Sequence, residues 1–131
     1  MAKKTKQRFT NPGLYRGPFP NGAPAIYLNQ AARLGASCGI TACVGDDDFG
    51  WLNINRLSAD GMDVSGVCIF KTKSTGTAFM TYGNEDGREY IFRFTDAAAS
   101  AFSLDDIDGS ALNGDRIIFV RSVCYRLGTL G

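Results

Sequence analysis

Histidine is missing altogether from this chain. Without an imidazole there is no Ser-His or Cys-His nucleophile and no His-ligated metal, so many hydrolase and metalloenzyme classes fall away. Cysteine is sparse. Cys38, Cys43, Cys68 and Cys124 show no CxxC spacing and lie in apolar, strand-like stretches, the pattern of reduced, buried thiols rather than zinc ligands or disulfides. Long apolar runs are lacking too: none approaches the ~20 residues of a spanning helix, and the first residues have no apolar signal region. A cytoplasmic protein without a membrane partner is expected. Charge of one sign is also absent, since 14 basic and 13 acidic side chains leave a formal +1, so no nucleic-acid partner is expected. Lys3, Lys4, Lys6 and Arg8 form the one basic cluster. It reads as a solvated tail, the alternative being a phosphate-binding arm.

What is present suits one soluble domain: 131 residues, 44% hydrophobic and 21% charged, enough for a single core. Residues 1–22 hold the turn signals Asn11-Pro12-Gly13, Gly17-Pro18 and Pro20-Asn21-Gly22 and read as loop, with at most a short strand at 14–16. Pro24 suits a first helical turn and Gly35 the residue just past a helix end, which predicts a helix over 24–34. The run SCGITACVG at 37–45 reads as a buried strand. One of Asp46, Asp47 and Asp48 can cap a second helix that runs to about Ala59 and stops at Gly61.

From Val64 the period becomes two. Residues 67–70, 76–83 and 88–94 read as three strands, with NEDG at 84–87 as a hairpin turn. On the last strand Tyr90, Phe92 and Phe94 share one face, and Ile91 and Arg93 the other. A short helix at 96–102, a capped turn at Ser103 and Asp106, and a buried strand at 116–120 complete the series. The expected organisation is one layered α/β domain, with core at 23–63 and 96–120, a small flap mainly of strands at 64–95, and a tail at 121–131.

Three features can carry chemistry, each beside a plainer reading. PNGAP at 20–24 lets a ligand approach a helix start, yet Pro and Gly there also serve purely structural ends. VGDDDFG at 44–50 offers three carboxylates, but capping and the helix dipole explain them and the spacing is not that of a calcium loop. No metal site is expected there. The aromatic hairpin with Arg93 could stack on a ring and pair with an anion, or its rings could simply face the core.

In order, GAPA at 22–25, AARLGA at 31–36, VGDDDFG at 44–50, LSADGMDVSGV at 57–67, TGTAFMTY at 75–82 and DGREYIFRF at 86–94 resemble the N-terminal half of a ribokinase-like (PfkB-type) sugar kinase. The nearest look is to the ribokinase and 2-keto-3-deoxygluconate kinase type, over about Gly17 to Val120. The resemblance implies a partial ribokinase-like three-layer α/β sandwich with an antiparallel β-lid. It also implies a sugar or sugar acid as substrate, ATP and Mg²⁺ as cofactors, and a homodimer formed through lid strands. The family's Gly-Gly-x-x-x-Asn sugar-binding run falls on 21–26, where Asn21 replaces a glycine, Gly22 matches and Ile26 replaces the asparagine. Carried over, Asn21, Gly22 and Ala23 would meet the sugar, with Arg93 as the anion or hydroxyl contact and Phe92 as its lid neighbour. No Gly-Ala-Gly-Asp anion hole and no matching catalytic Asp occur in these residues, and 1–16 supply no strand bearing an acidic sugar ligand. The chain is thus expected to carry lid and sugar side without phosphoryl-transfer machinery, the alternative being a non-catalytic assembly module.

Overall fold

A computed structural model describes residues 9–10, 12–82, 87–112, 114 and 117–119. The basic cluster at 3–8, the centre of the hairpin turn at 83–86, Arg116, Val120, Cys124 and the tail at 121–131 lie outside the described residues. Helix α1 spans Ala23–Arg33, with Pro24 in its first turn and Gly22 ahead of it at a φ of 128°. It closes as expected: Gly35 takes a φ of 91° and donates to the Ala32 carbonyl at 2.9 Å, while Ala36 donates to Ala31 at 3.1 Å. Those bonds satisfy carbonyls that a helix end otherwise strands.

Strand β1 (Ala42–Gly45), helix α2 (Asp48–Ala59) and strand β2 (Val67–Phe70) form a β-α-β unit. β1 and β2 pair in parallel, Ala42 opposite Val67 and Gly45 opposite Phe70. Ahead of β1, only a single bridge from Gly39 to Asp63 extends the ladder, so the strand read over 37–45 is shorter. Strand 67–70, grouped by its period with the flap, belongs instead to this parallel sheet. Alternation reports which face a side chain takes, not which neighbour the backbone bonds.

β3 (Thr77–Tyr82) and β4 (Arg88–Arg93) make the antiparallel hairpin, in a register from Thr77 opposite Arg93 to Tyr82 opposite Arg88. A 3₁₀ turn at Ala98–Ser100 stands where a helix over 96–102 was expected. The Ser100 and Ala101 N–H groups bond three residues back, to the Ala97 and Ala98 carbonyls at 3.0 Å each, and the Ser100 hydroxyl also donates to the Thr95 and Ala97 carbonyls, while the Ala98 N–H ties the turn to the Ser74 carbonyl at 2.8 Å. At the next turn Asp106 accepts both the Ser103 N–H (2.8 Å) and hydroxyl (3.0 Å), as the capping pattern foretold. Residues 117–119 form no strand, because no neighbouring strand lies alongside them among the described residues; Phe119 stacks instead on Tyr27 at 4.8 Å. Residues 14–16 are likewise unpaired.

The core among the described residues is small: Cys43, Leu57, Met62, Ala97 and Ala98. Cys38, Cys43 and Cys68 carry free thiols. Burial, then the adjacent Cys68, pushes the Cys43 thiol up to about 12, so it stays protonated and packs as a small hydrophobe. α1 buries no side chain. Polar ties hold it: Asp60, just past α2, accepts from Asn29 of α1, from Arg33 at 3.3 Å and from Arg56 at 2.6 Å. Arg56 and Arg33 together keep the Asp60 carboxyl below its ordinary range.

Close backbone approach demands two glycines. A Cβ on Gly50 would collide with the Gly45 carbonyl, and one on Gly45 would lie 2.7 Å from the Thr75 nitrogen. Gly45→Ala is therefore expected to lower unfolding free energy by about 1–3 kcal/mol. Gly109, with nothing within 4 Å of a Cβ, is the control: Gly109→Ala should change it by no more than roughly 0.5 kcal/mol in urea denaturation.

Candidate functional site

Of the three consecutive aspartates, Asp47 is the cap. Its Oδ1 accepts the Gly50 N–H at 2.8 Å and its Oδ2 the Thr75 N–H at 2.7 Å. The Thr75 hydroxyl oxygen in turn accepts the Gly45 N–H at 2.9 Å. One carboxylate and one threonine thus join the end of β1, the start of α2 and the approach to β3. Partial burial raises the Asp47 pKa, but hydrogen bonds from Thr75, Gly50 and Phe49 outweigh it and leave the carboxyl below its ordinary value. Asp46 turns aside to accept the Trp51 indole N–H at 3.1 Å. Since these carboxylates diverge, no group of three potential metal ligands converges among the described residues.

Beside this joint lies an open cleft of about 490 Å³. Asp47, Asp48 and Phe49 line it from α2, Ser74, Thr75 and Thr77 from the approach to the hairpin, and Pro18 closes one side. Its size suits a small polar ligand, and a carboxylate, hydroxyls and one ring are groups that bind polyols.

The expected site residues fall in two places. Asn21, Gly22 and Ala23 form the start of α1. Asn21 is already committed there: its Oδ1 accepts the Gly22 N–H at 2.7 Å and its own N–H donates to Asn53 Oδ1 at 3.2 Å. Among the described residues, the open donors are the backbone N–H groups of Ala23 and Ala25, which precede the first helical bond, from Ile26 to Gly22. Phe92 and Arg93 lie on β4, where the pleat sends them to opposite faces of the hairpin. Phe92 belongs to a ladder with Tyr90 at 5.5 Å and Phe94 at 5.4 Å. Arg93 sits opposite Thr77, so its face is the one that continues from the cleft, and it makes no ion pair among the described residues. No hydrogen bond or ring contact joins 21–23 to 92–93. Asn53 and Thr75 were not singled out as site-forming from the sequence, and Asp47 was weighed only with Asp46 and Asp48, as a carboxylate trio or a helix cap. Their partners lie about 30 residues away, beyond any local pattern.

The sequence model of the pfkB family carbohydrate kinases matches residues 19–123. The chain belongs to that family. An E. coli protein assigned as Ribokinase II, in its apo form, is 46% identical and superposes with a TM-score of 0.80 over 85% of this chain and 36% of that one. The same protein solved with ATP and Mg²⁺ gives a TM-score of 0.78 over 85% of this chain and 35% of that one, again at 46% identity. Fructokinase-1 of Zea mays is 30% identical over 89 residues, 68% of this chain and 28% of that protein. The architecture is therefore the ribokinase fold in part, an α/β unit with an antiparallel sheet, and the chain spans about a third of the length of these relatives.

The Asp47 joint has a pH signature. Because its folded pKa lies below the ordinary 3.8, its contribution is complete above that value and is lost as pH falls through the folded pKa. Asp47→Ala should cost about 1–2 kcal/mol at pH 7. It should also remove part of the wild-type decline below about pH 4, both read from urea melts across pH.

Proposed function

We propose that these residues form the sugar-facing part of an ATP-dependent sugar kinase: the lid hairpin, its base, and one wall of the sugar pocket. The observation that carries this is the placing of Arg93. Its guanidinium, without an ion pair among the described residues, is on the hairpin face that includes Thr77, and Thr77 lines the cleft with Asp48 and Phe49. A sugar held between the start of α1 and that face would meet the Ala23 and Ala25 amides, hydroxyls of Ser74 and Thr77, and one guanidinium able to take a carboxylate in a bidentate grip. Lid and cleft would orient the ligand and exclude water, the contributions that matter most where positioning dominates the barrier.

ATP with Mg²⁺ would supply the phosphoryl group. The described residues do not fit that pair: no ligand trio converges and the Gly-Ala-Gly-Asp sequence does not occur. No step of transfer is placed on them. The free thiol of the core, Cys43, accords with a cytoplasmic setting, which is part of the same proposal.

A second role rests on the opposite hairpin face. Tyr82, Tyr90 and Phe92 are 64%, 45% and 54% exposed there, a large aromatic surface for a sheet that ends in solvent. A second copy of the chain is the proposed occupant, giving a homodimer through lid strands.

Two outcomes test these readings. In calorimetric titrations, Arg93→Ala should weaken a sugar acid such as 2-keto-3-deoxygluconate about tenfold and leave D-fructose within about twofold; equal losses for both would overturn the assignment of Arg93. The 131-residue chain with ATP and Mg²⁺ should release no ADP in the presence of either sugar. In light scattering, Phe92→Ser should shift the mass from dimer toward monomer while Arg93→Ala does not; a monomeric wild type would remove the assembly reading.

A further inference from the structure

Helix α1 buries no side chain and its one ring contact, Tyr27 with Phe119, lies a turn beyond its start, so polar bonds must fix where its first turn points. At its far end Asp60 does this. At the near end the bond is from the Asn21 N–H to Asn53 Oδ1, at 3.2 Å. Asn53 lies in the second turn of α2, and its amide is not free to rotate: Nδ2 donates to the Phe49 carbonyl one turn back, at 2.9 Å. With the nitrogen committed to its own helix, the oxygen is left to face α1.

The next links are equally constrained. Asn21 folds its side chain back onto the Gly22 N–H at 2.7 Å, and Gly22 sits at a φ of 128°, where a side chain would be strained. Pro24 carries no N–H. The outcome is that, among the described residues, the Ala23 and Ala25 amides have no partner at a helix start with no side-chain cap and no acidic residue in its first turn. Phe49, whose carbonyl clamps Asn53, also lines the cleft.

We infer that Asn53 is a positioning residue for sugar recognition: it holds the Asn21–Gly22 turn so that the Ala23 and Ala25 amides face the ligand. It touches no ligand itself. The inference rests on the reading of this region as the sugar side of a kinase, and it adds to that reading a residue on a different helix. It also explains why Asn21 can stand where the family has glycine. The side chain is absorbed into the turn, and its backbone N–H is taken by Asn53.

The test uses the whole ¹⁵N-labelled chain, its Asn53→Leu and Asn53→Asp variants, and D-fructose as the probe. Asn53→Leu keeps the size but removes the acceptor. It should move the amide resonances of Asn21, Gly22 and Ala23 and weaken fructose binding about 3- to 10-fold, the effect of one hydrogen bond. Asn53→Asp keeps an acceptor for the Asn21 N–H but gives up the bond to the Phe49 carbonyl, so it should return both part of the way from Asn53→Leu toward wild type, a rescue that a mere packing role would not show. Unmoved 21–23 amides in Asn53→Leu, or fructose binding as tight as wild type, would overturn the inference. A wild-type chain that binds no sugar overturns the kinase reading, and the amide shifts then decide the role of Asn53 in holding the turn. Should Asn53→Leu fail to fold, Asn53→Asp decides alone: a wild-type Asn21 resonance supports the link, and a displaced one with unchanged binding refutes it.

Discussion

The Asp47 carboxylate reaches two chain segments at once, taking the Gly50 amide on one oxygen and the Thr75 amide on the other. Those segments are the first turn of the crossover helix and the residue that leads into the hairpin. Thr75 passes the connection on by accepting from Gly45, the last residue of β1. The geometry works only because Gly45 and Gly50 have no side chains; a Cβ on either would meet backbone. Hence the base of the hairpin is set by half-buried hydrogen bonds beside the packed Ala97 and Ala98, and the charged acceptor makes the two bonds to Asp47 stronger than a neutral pair. A single parallel bridge between Ser74 and Ala97, with Ala98 donating to Ser74, secures the other side of the same base.

Helix α1 shows the complementary case. Its Gly, Ala and Pro leave little to bury, and no side chain of it is buried among the described residues. Two polar clasps, Asn21 to Asn53 and the Asp60 cluster, attach it to α2. A helix held this way is oriented rather than embedded. That suits a segment whose function is to present backbone amides, because small side chains leave those amides reachable.

Much of this could be read from residues alone. Pro24 and Gly35 bracketed α1 to within a residue, an aspartate of the triplet capped α2, and alternation placed Tyr90, Phe92 and Phe94 on one side of β4 with Arg93 on the other. The pfkB-type order of motifs carried the fold. Partner choice could not be read: β2 has the alternation of a flap strand yet pairs with β1, since periodicity holds no information about which backbone lies alongside. The 96–102 stretch is Ala-rich and helix-prone, but its amides bond three residues back and form a single tight turn. Asn53 looked like any polar residue on an exposed helix face. Only a contact 32 positions away gives it meaning, and no local pattern encodes that.

The two sheets differ in how far the chain must travel to close them. In the hairpin, Tyr82 meets Arg88 and the pairing zips outward to Thr77 and Arg93, a local event of the kind that takes about 1–10 μs. The parallel pair joins Ala42 to Val67 and must wait for the crossover helix between them. Loop closure of that length is entropically costly before any contact rewards it. Assembly should therefore run from the periphery inward: the flap exists as a preformed piece before its base does, and Asp47 acts as the latch that docks one finished unit onto another as the second takes shape.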